Sequence, residues 1–229
     1  MEHHYFFLNE IFAALGLEHF ADEYQHVIHS WFVMLIMIVG GILLVRGIQL
    51  LPRKGQNFLE IVIESLENFM VDITGPEGRA FFPFIATIFL YIFVCNLIGL
   101  IPGFFSPTAN INTTLSMAIC TFFLTHAIGI KFHGAKYIKH FLGPVWALAP
   151  LMFVIEGIGH LARVLSLSVR LFGNIFGKEK VLGILFGLAG LYLAPLPILF
   201  LGLLVSFVQA LVFMLLSIMY FAGAMEEAH

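Results

Sequence analysis

Residues 80–130, AFFPFIATIFLYIFVCNLIGLIPGFFSPTANINTTLSMAICTFFLTHAIGI, contain no Asp, Glu, Lys or Arg. A membrane-spanning helix needs ~20 consecutive apolar residues, so this run holds two crossings. It divides at Pro102-Gly103. The predicted spans are 82–101 and 115–130, joined by an uncharged polar loop over 106–114. The apolar runs are continuous rather than alternating, which excludes a β-barrel.

Working outward, residues 24–45 and 181–225 are also free of Asp, Glu, Lys and Arg. They give a first span over 27–47 and a last one that begins after Pro195 and Pro197 and ends near residue 222. The whole chain has 229 residues, 60% hydrophobic and only 11% charged, against roughly 25% charged in soluble domains. Such a chain could not hide its apolar surface in water. The composition excludes a cytosolic enzyme and a disordered chain. A net charge of −3 with no basic stripe excludes nucleic acid as a partner. Cys95 and Cys120 lie in apolar runs without metal or redox spacing.

Basic residues near span ends set the orientation. Arg46, Arg53 and Lys54 follow the first span, and Lys131, Lys136 and Lys139 follow the third. Both clusters read as cytoplasmic. The N-terminal segment 1–26 carries Glu2, Glu10, Glu18, Asp22 and Glu23 and is expected outside; it does not read as a secretory signal. Glu226 and Glu227 put the C-terminus inside. Residues 57–74 mix Phe58, Ile61, Leu66 and Met70 with Glu60, Glu64, Glu67 and Asp72. That pattern predicts an amphipathic helix lying at the inner interface, or one packed on a soluble partner.

Between 145 and 193 there is no strong helix stop. A helix of that length is ~73 Å long, more than twice the hydrocarbon thickness, and must tilt, bend or break. With the last span it forms a long tilted hairpin over 145–222. The expected architecture is all-α: about five membrane-embedded helices and one interfacial amphipathic helix, in a single membrane domain over 27–229.

The polar residues of the fourth segment are ordered. Glu156, His160, Arg163, Arg170 and Asn174 lie at offsets 0, 4, 7, 14 and 18. At about 100° per residue they fill a stripe roughly 80° wide. Gly159, Ser166, Gly173 and Gly177 run along its flank, and small residues let another helix come close. Arg170 is the telling residue. An Arg at bilayer depth costs ~2.5 kcal/mol or more, and a guanidinium cannot discharge by losing its proton. Glu156 is ~21 Å away along the helix, and Glu179 points to a different face. The counter-charge must come from another helix or another subunit, unless Arg170 snorkels or makes a structural ion pair. In the last helix Gly202, Ser206, Gln209 and Ser217 recur near helical spacing. Gln209 is a candidate hydrogen-bond partner for Arg170, whereas Ser217 suits a bond to its own helix backbone.

The stretches 167–174 (LSVRLFGN), 96–102 (NLIGLIP), 108–112 (TANIN) and Gln209-Ala210 resemble subunit a of the membrane sector of bacterial F-type rotary ATP synthases, from about Arg46 to the end. The resemblance implies a proton-translocating stator working against a ring of c subunits and held by peripheral-stalk b subunits, in a bacterial cytoplasmic membrane. Arg170 then separates two offset half-channels. Asn174, Glu179 and Gln209 belong to the outer one, and Glu156 with His160 to the inner one. The glycine flank of Gly159, Ser166, Gly173 and Gly177 faces the ring. Two positions depart from the family pattern: Gly202 stands where some members have a His that pairs with the acid at the Glu179 position, and Asn110 where some have Asp. Lys178 and Lys180 flank Glu179 and could hold it ionised.

Two rival readings remain. One is a stand-alone secondary transporter with Arg170 binding an anionic substrate; it should show an internal repeat, and the Arg-bearing segment has no second copy. The other is a structural subunit of a different respiratory complex. His26 and His29 are three apart but lack a third ligand nearby. His126 sits near a span end. No Walker loop or nucleophile elbow occurs, so neither a metal, a cofactor nor an ATP site is expected in this chain.

Overall fold

A computed structural model describes residues 23–46, 54–101, 103–134, 137, 149–189 and 196–226. The acidic residues before 23, and Arg53, Lys136, Lys139, Pro195 and Glu227, lie outside the described residues. The described chain forms six α-helices: α1 (Gln25–Arg46), α2 (Lys54–Thr74), α3 (Phe82–Ile98), α4 (Ile111–His133), α5 (Ala149–Ala189) and α6 (Leu196–Met225). Helices α1, α4, α5 and α6, and α3 together with the 3-10 helix Pro76–Phe81 that precedes it, are long and apolar enough to cross a membrane.

Local chemistry sets the ends. Pro83 occupies the first turn of α3, where the missing N–H costs nothing. Helix α4 begins four residues before the predicted 115, because the Asn110 side chain accepts from the Asn112 N–H at 2.9 Å and caps it. The polar loop is correspondingly shorter. Gly134, at φ 55°, ends α4. Helix α5 runs unbroken for 41 residues, about 60 Å. Of the three options open in the sequence, a break is absent over 149–189.

The core lies where α3, α4, α5 and α6 meet. Ile85, Ile88, Phe89 and Ile92 of α3 pack with Leu167, Leu171 and Ile175 of α5 and with Phe213, Met214, Ile218 and Phe221 of α6. Helix α6 lies mainly against α3 and α4, and α5 mainly against α4, with a seam between α5 and α6. Helix α1 attaches at the side, through Val33 on Cys95 and Ile98 and Phe32 stacked on Phe104.

Helix α2 docks only its C-terminal half. Met70 is buried in the core, and Glu67 accepts from Arg79 Nε at 2.6 Å. Its earlier turns leave Ile61, Val62 and Ile63 exposed beside Glu60 and Glu64, the surface of a helix lying in an interface. Elsewhere large exposed side chains such as Leu43, Phe123 and Phe200 cover the outside of the bundle, as a hydrocarbon environment requires.

Candidate ion-translocation site

Helix α5 carries three faces. Leu167, Ser168, Leu171, Ile175 and Leu182 point into the bundle, and Ser168 is pinned to Thr114 of α4 at 3.0 Å. The polar stripe runs along the border of this buried face. Beyond it lies an open side. A Cβ added at Gly159, Gly173 or Gly177 would meet nothing within 4 Å, and Ser166 is exposed on the same flank. Among the described residues, then, these glycines pack against nothing and leave a smooth strip, of the kind that lets another helix come close.

Arg170 is exposed at the edge of this strip. Among the described residues no carboxylate lies within ion-pair distance of its guanidinium, and no hydrogen bond to it is formed. The internal ion pair considered from the sequence is absent there. Gln209 corrects a second expectation. It is buried on α6, but its Oε1 accepts from Asn174 Nδ2 at 2.7 Å, not from Arg170. The register of the two helices sets Gln209 level with Asn174, which sits closer to the α6 seam. Ser217 donates to the Phe213 carbonyl of its own helix at 2.8 Å, as its spacing predicted.

Glu179 lies on a different face from the stripe and turns toward the short 3-10 turn Pro107–Ala109. Its Oε1 accepts from the Ser106 backbone N–H at 2.8 Å. Gly99 makes the approach possible, since a Cβ there would collide with Ser106 and come within 3.2 Å of Glu179 Oε1. Next to it, Lys178 Nζ donates to the Asn96 carbonyl at 3.2 Å and to Ser206 Oγ at 3.1 Å. Asn96 in turn donates from Nδ2 to the Ser206 carbonyl at 3.3 Å and accepts from Thr108 Oγ1 at 2.6 Å. Thr108 and Ser106 share a hydroxyl contact of 2.9 Å. A continuous polar network thus joins α3, the 3-10 turn, α5 and α6 inside the bundle. Buried polar groups persist in lipid only when they are paired in this way.

The network explains Gly202. A Cβ there would lie 2.8 Å from Leu100 Cδ2 and 3.2 Å from Lys178 Cδ. The aliphatic stem of Lys178 occupies the space a side chain at 202 would need. Of the two lysines beside Glu179, only Lys178 enters the network; Lys180 is exposed, with its ammonium over the Phe176 ring at 5.4 Å. Asn96, Ser106, Thr108 and Ser206 were not singled out as site residues from the sequence. Their signal was there: polar residues inside charge-free runs, with Asn96 and Thr108 in the 96–102 and 108–112 stretches, Ser106 between them and Ser206 one helical turn from Gly202.

At the other end of the stripe, His160 Nε2 lies 3.2 Å from Glu156 Oε1, and Arg163 stands over the Tyr220 ring of α6 at 5.7 Å. Both sit beside a cavity of about 20 Å³. His29, in α1, bonds the Gln25 carbonyl at 2.9 Å and packs against the Phe104 and Phe105 rings, a packing role.

These features define a polytopic helical membrane protein with a polar network inside its bundle and a cation on its open side. The sequence profile of the family described as ATP synthase A chain matches residues 27–222. The chain is 63% identical over 229 residues to ATP synthase subunit a of Desulfosudis oleivorans, covering 100% of both chains. It is 56% identical to ATP synthase subunit a of Syntrophobacter fumaroxidans, again over 100% of each. With that of Geotalea daltonii it shares 52% over 97% of this chain and 96% of the relative. The protein belongs to the ATP synthase A chain family.

Proposed function

We propose that this chain is the proton-translocating stator subunit of an F-type ATP synthase. The observation that carries the reading is the Arg170 guanidinium on an open, glycine-lined helix face, with no counter-charge among the described residues. The missing partner is a carboxylate on each c subunit of a rotating ring. A cation within ~4–6 Å favours the ionised carboxylate, so Arg170 discharges each site as it passes and blocks protons from crossing directly. A proton from outside neutralises the next carboxylate, which can then enter lipid. Each charge moved across 100 mV supplies ~2.3 kcal/mol.

The outer half-channel runs by Asn174, Gln209 and Glu179, with the Lys178–Asn96–Ser206 network beside it. The inner one runs by Glu156 and His160. Gly159, Ser166, Gly173 and Gly177 form the ring-facing strip. In this reading residues 27–229 are one membrane domain, with 145–222 carrying translocation. The chain spans a bacterial cytoplasmic membrane with its N-terminus outside and its C-terminus inside, is held by peripheral-stalk b subunits, and contributes no ATP-hydrolysing step. Family membership weighs against a stand-alone transporter. Purification in mild detergent tests the reading: the chain should co-isolate with a small helical ring protein and a soluble ATPase head. Recovery as an active monomeric carrier would refute it.

A further inference from the structure

Four protonatable side chains from three parts of the chain meet at the Glu156 end of the bundle. Gly129, buried on α4, makes the meeting possible. A Cβ at that position would overlap the Tyr137 ring, so the phenol lies in a notch that a larger residue would fill. The turn at Gly134, with φ 55°, folds the chain back, and the Tyr137 N–H bonds the Gly134 carbonyl at 3.2 Å. From the notch the Tyr137 hydroxyl lies 2.8 Å from His126 Nδ1.

The His126 imidazole stands 4.8 Å from that of His160, centroid to centroid, and His160 Nε2 reaches Glu156 at 3.2 Å. Phe122 packs edge-on against both imidazoles and fixes their positions. The cavity beside them is lined by Thr121, Thr125, His160, Arg163, Leu167 and Tyr220. Its volume of about 20 Å³ is room for a single water, and its walls are mainly apolar, with His160 and Arg163 among them. The lining ends at Leu167, one helical turn short of Arg170.

We propose that His126 and His160 form a proton relay, with Glu156 as its carboxylate and the Tyr137 hydroxyl as its link to the inner side, joining the cavity to the inner membrane surface. This rests on the inner half-channel reading above and adds α4 and Tyr137 to the path. An imidazole takes a proton on one nitrogen and releases one from the other, so each ring is neutral again after a transit. Burial pushes the Tyr137 phenol above its ordinary range. The phenol therefore stays neutral throughout: its hydroxyl passes a proton to His126 Nδ1 only as it takes another from the inner side, while His126 releases its Nε2 proton toward His160. Among the described residues His126 faces Tyr137 and, from α5, His160 and Arg163; Glu156 acts on Tyr137 and His160, and Tyr220 of α6 borders the same cavity.

The test uses inside-out membrane vesicles carrying the whole complex, in which the medium bathes the inner mouth. ATP-driven proton pumping is followed against medium pH. In the native protein the rate should inflect in the histidine range. In His126→Gln that inflection should disappear, the rate should fall about threefold or more, and imidazole added to the medium should restore it. Tyr137→Phe keeps the ring in the notch and removes the hydroxyl; it should move the midpoint with the yield of complex unchanged. Tyr137→Phe decides alone if His126→Gln fails to assemble. Native rate and pH profile in the variants that assemble overturns the relay. Failure of the stator reading itself has a different mark, namely coupled pumping that survives Arg170→Ala.

Discussion

Asn174 on α5 donates its side-chain amide to Gln209 on α6 at 2.7 Å, across the seam between the two longest helices. The pair lies one helical turn from Arg170. It ties the helix that carries the cation to the helix packed deepest in the bundle, and so fixes where the guanidinium stands.

Gln209→Leu removes the acceptor and leaves the Asn174 amide unpaired, which costs ~1–3 kcal/mol where water is scarce. ATP-driven pumping in inverted membranes should fall roughly three- to tenfold while the complex still assembles. Gln209→Glu retains an acceptor oxygen and should pump better than the Leu variant. Equal activity of native protein and Gln209→Leu would contradict this role.

Glu179→Gln separates structure from charge. A glutamine oxygen still accepts from the Ser106 N–H, so the loop should hold and complex yield should match native. Proton binding is lost, and pumping should drop about tenfold or more. Glu179→Asp, with the carboxylate restored on a shorter arm, should recover part of it. If Glu179→Gln pumps at the native rate, the outer path runs elsewhere.

Gly202 and Lys178 should behave as one unit. Gly202→Val forces a side chain onto Leu100 and the Lys178 stem, and overpacking of this kind costs ~1–3 kcal/mol. Lys178→Ala empties the contested space. Measured as the thermal midpoint of the purified complex, the double variant should be more stable than Gly202→Val alone, a coupling typical of residues in contact. Additive losses would show that the lysine stem yields freely.

The helix count, the charge-free spans and the amphipathic α2 were legible in the sequence, because membrane helices announce themselves by length and by missing charge. The stripe of Glu156, His160, Arg170 and Asn174 and the outward flank of glycines were legible too, since both are periodicities of one helix. Relations between helices were not. Gln209 was matched to Arg170 because both are conspicuous polar residues; which one meets Gln209 is a matter of helix register, and the sequence does not encode that locally. The Asn96–Ser106–Lys178–Ser206 network joins residues more than a hundred positions apart. Tyr137 reaches His126 only through the notch at Gly129, and a lone glycine inside an apolar run carries no such message.

The central claim is that Arg170 holds a moving carboxylate in its charged form and stops protons from crossing without rotation. ATP-driven proton pumping by Arg170→Ala, in inverted membranes with the complex assembled, tests it most directly. Pumping should be lost, with Arg170→Lys no substitute because lysine can deprotonate, and the detached ATPase head should still hydrolyse ATP. Coupled pumping at the native rate in Arg170→Ala would contradict the account.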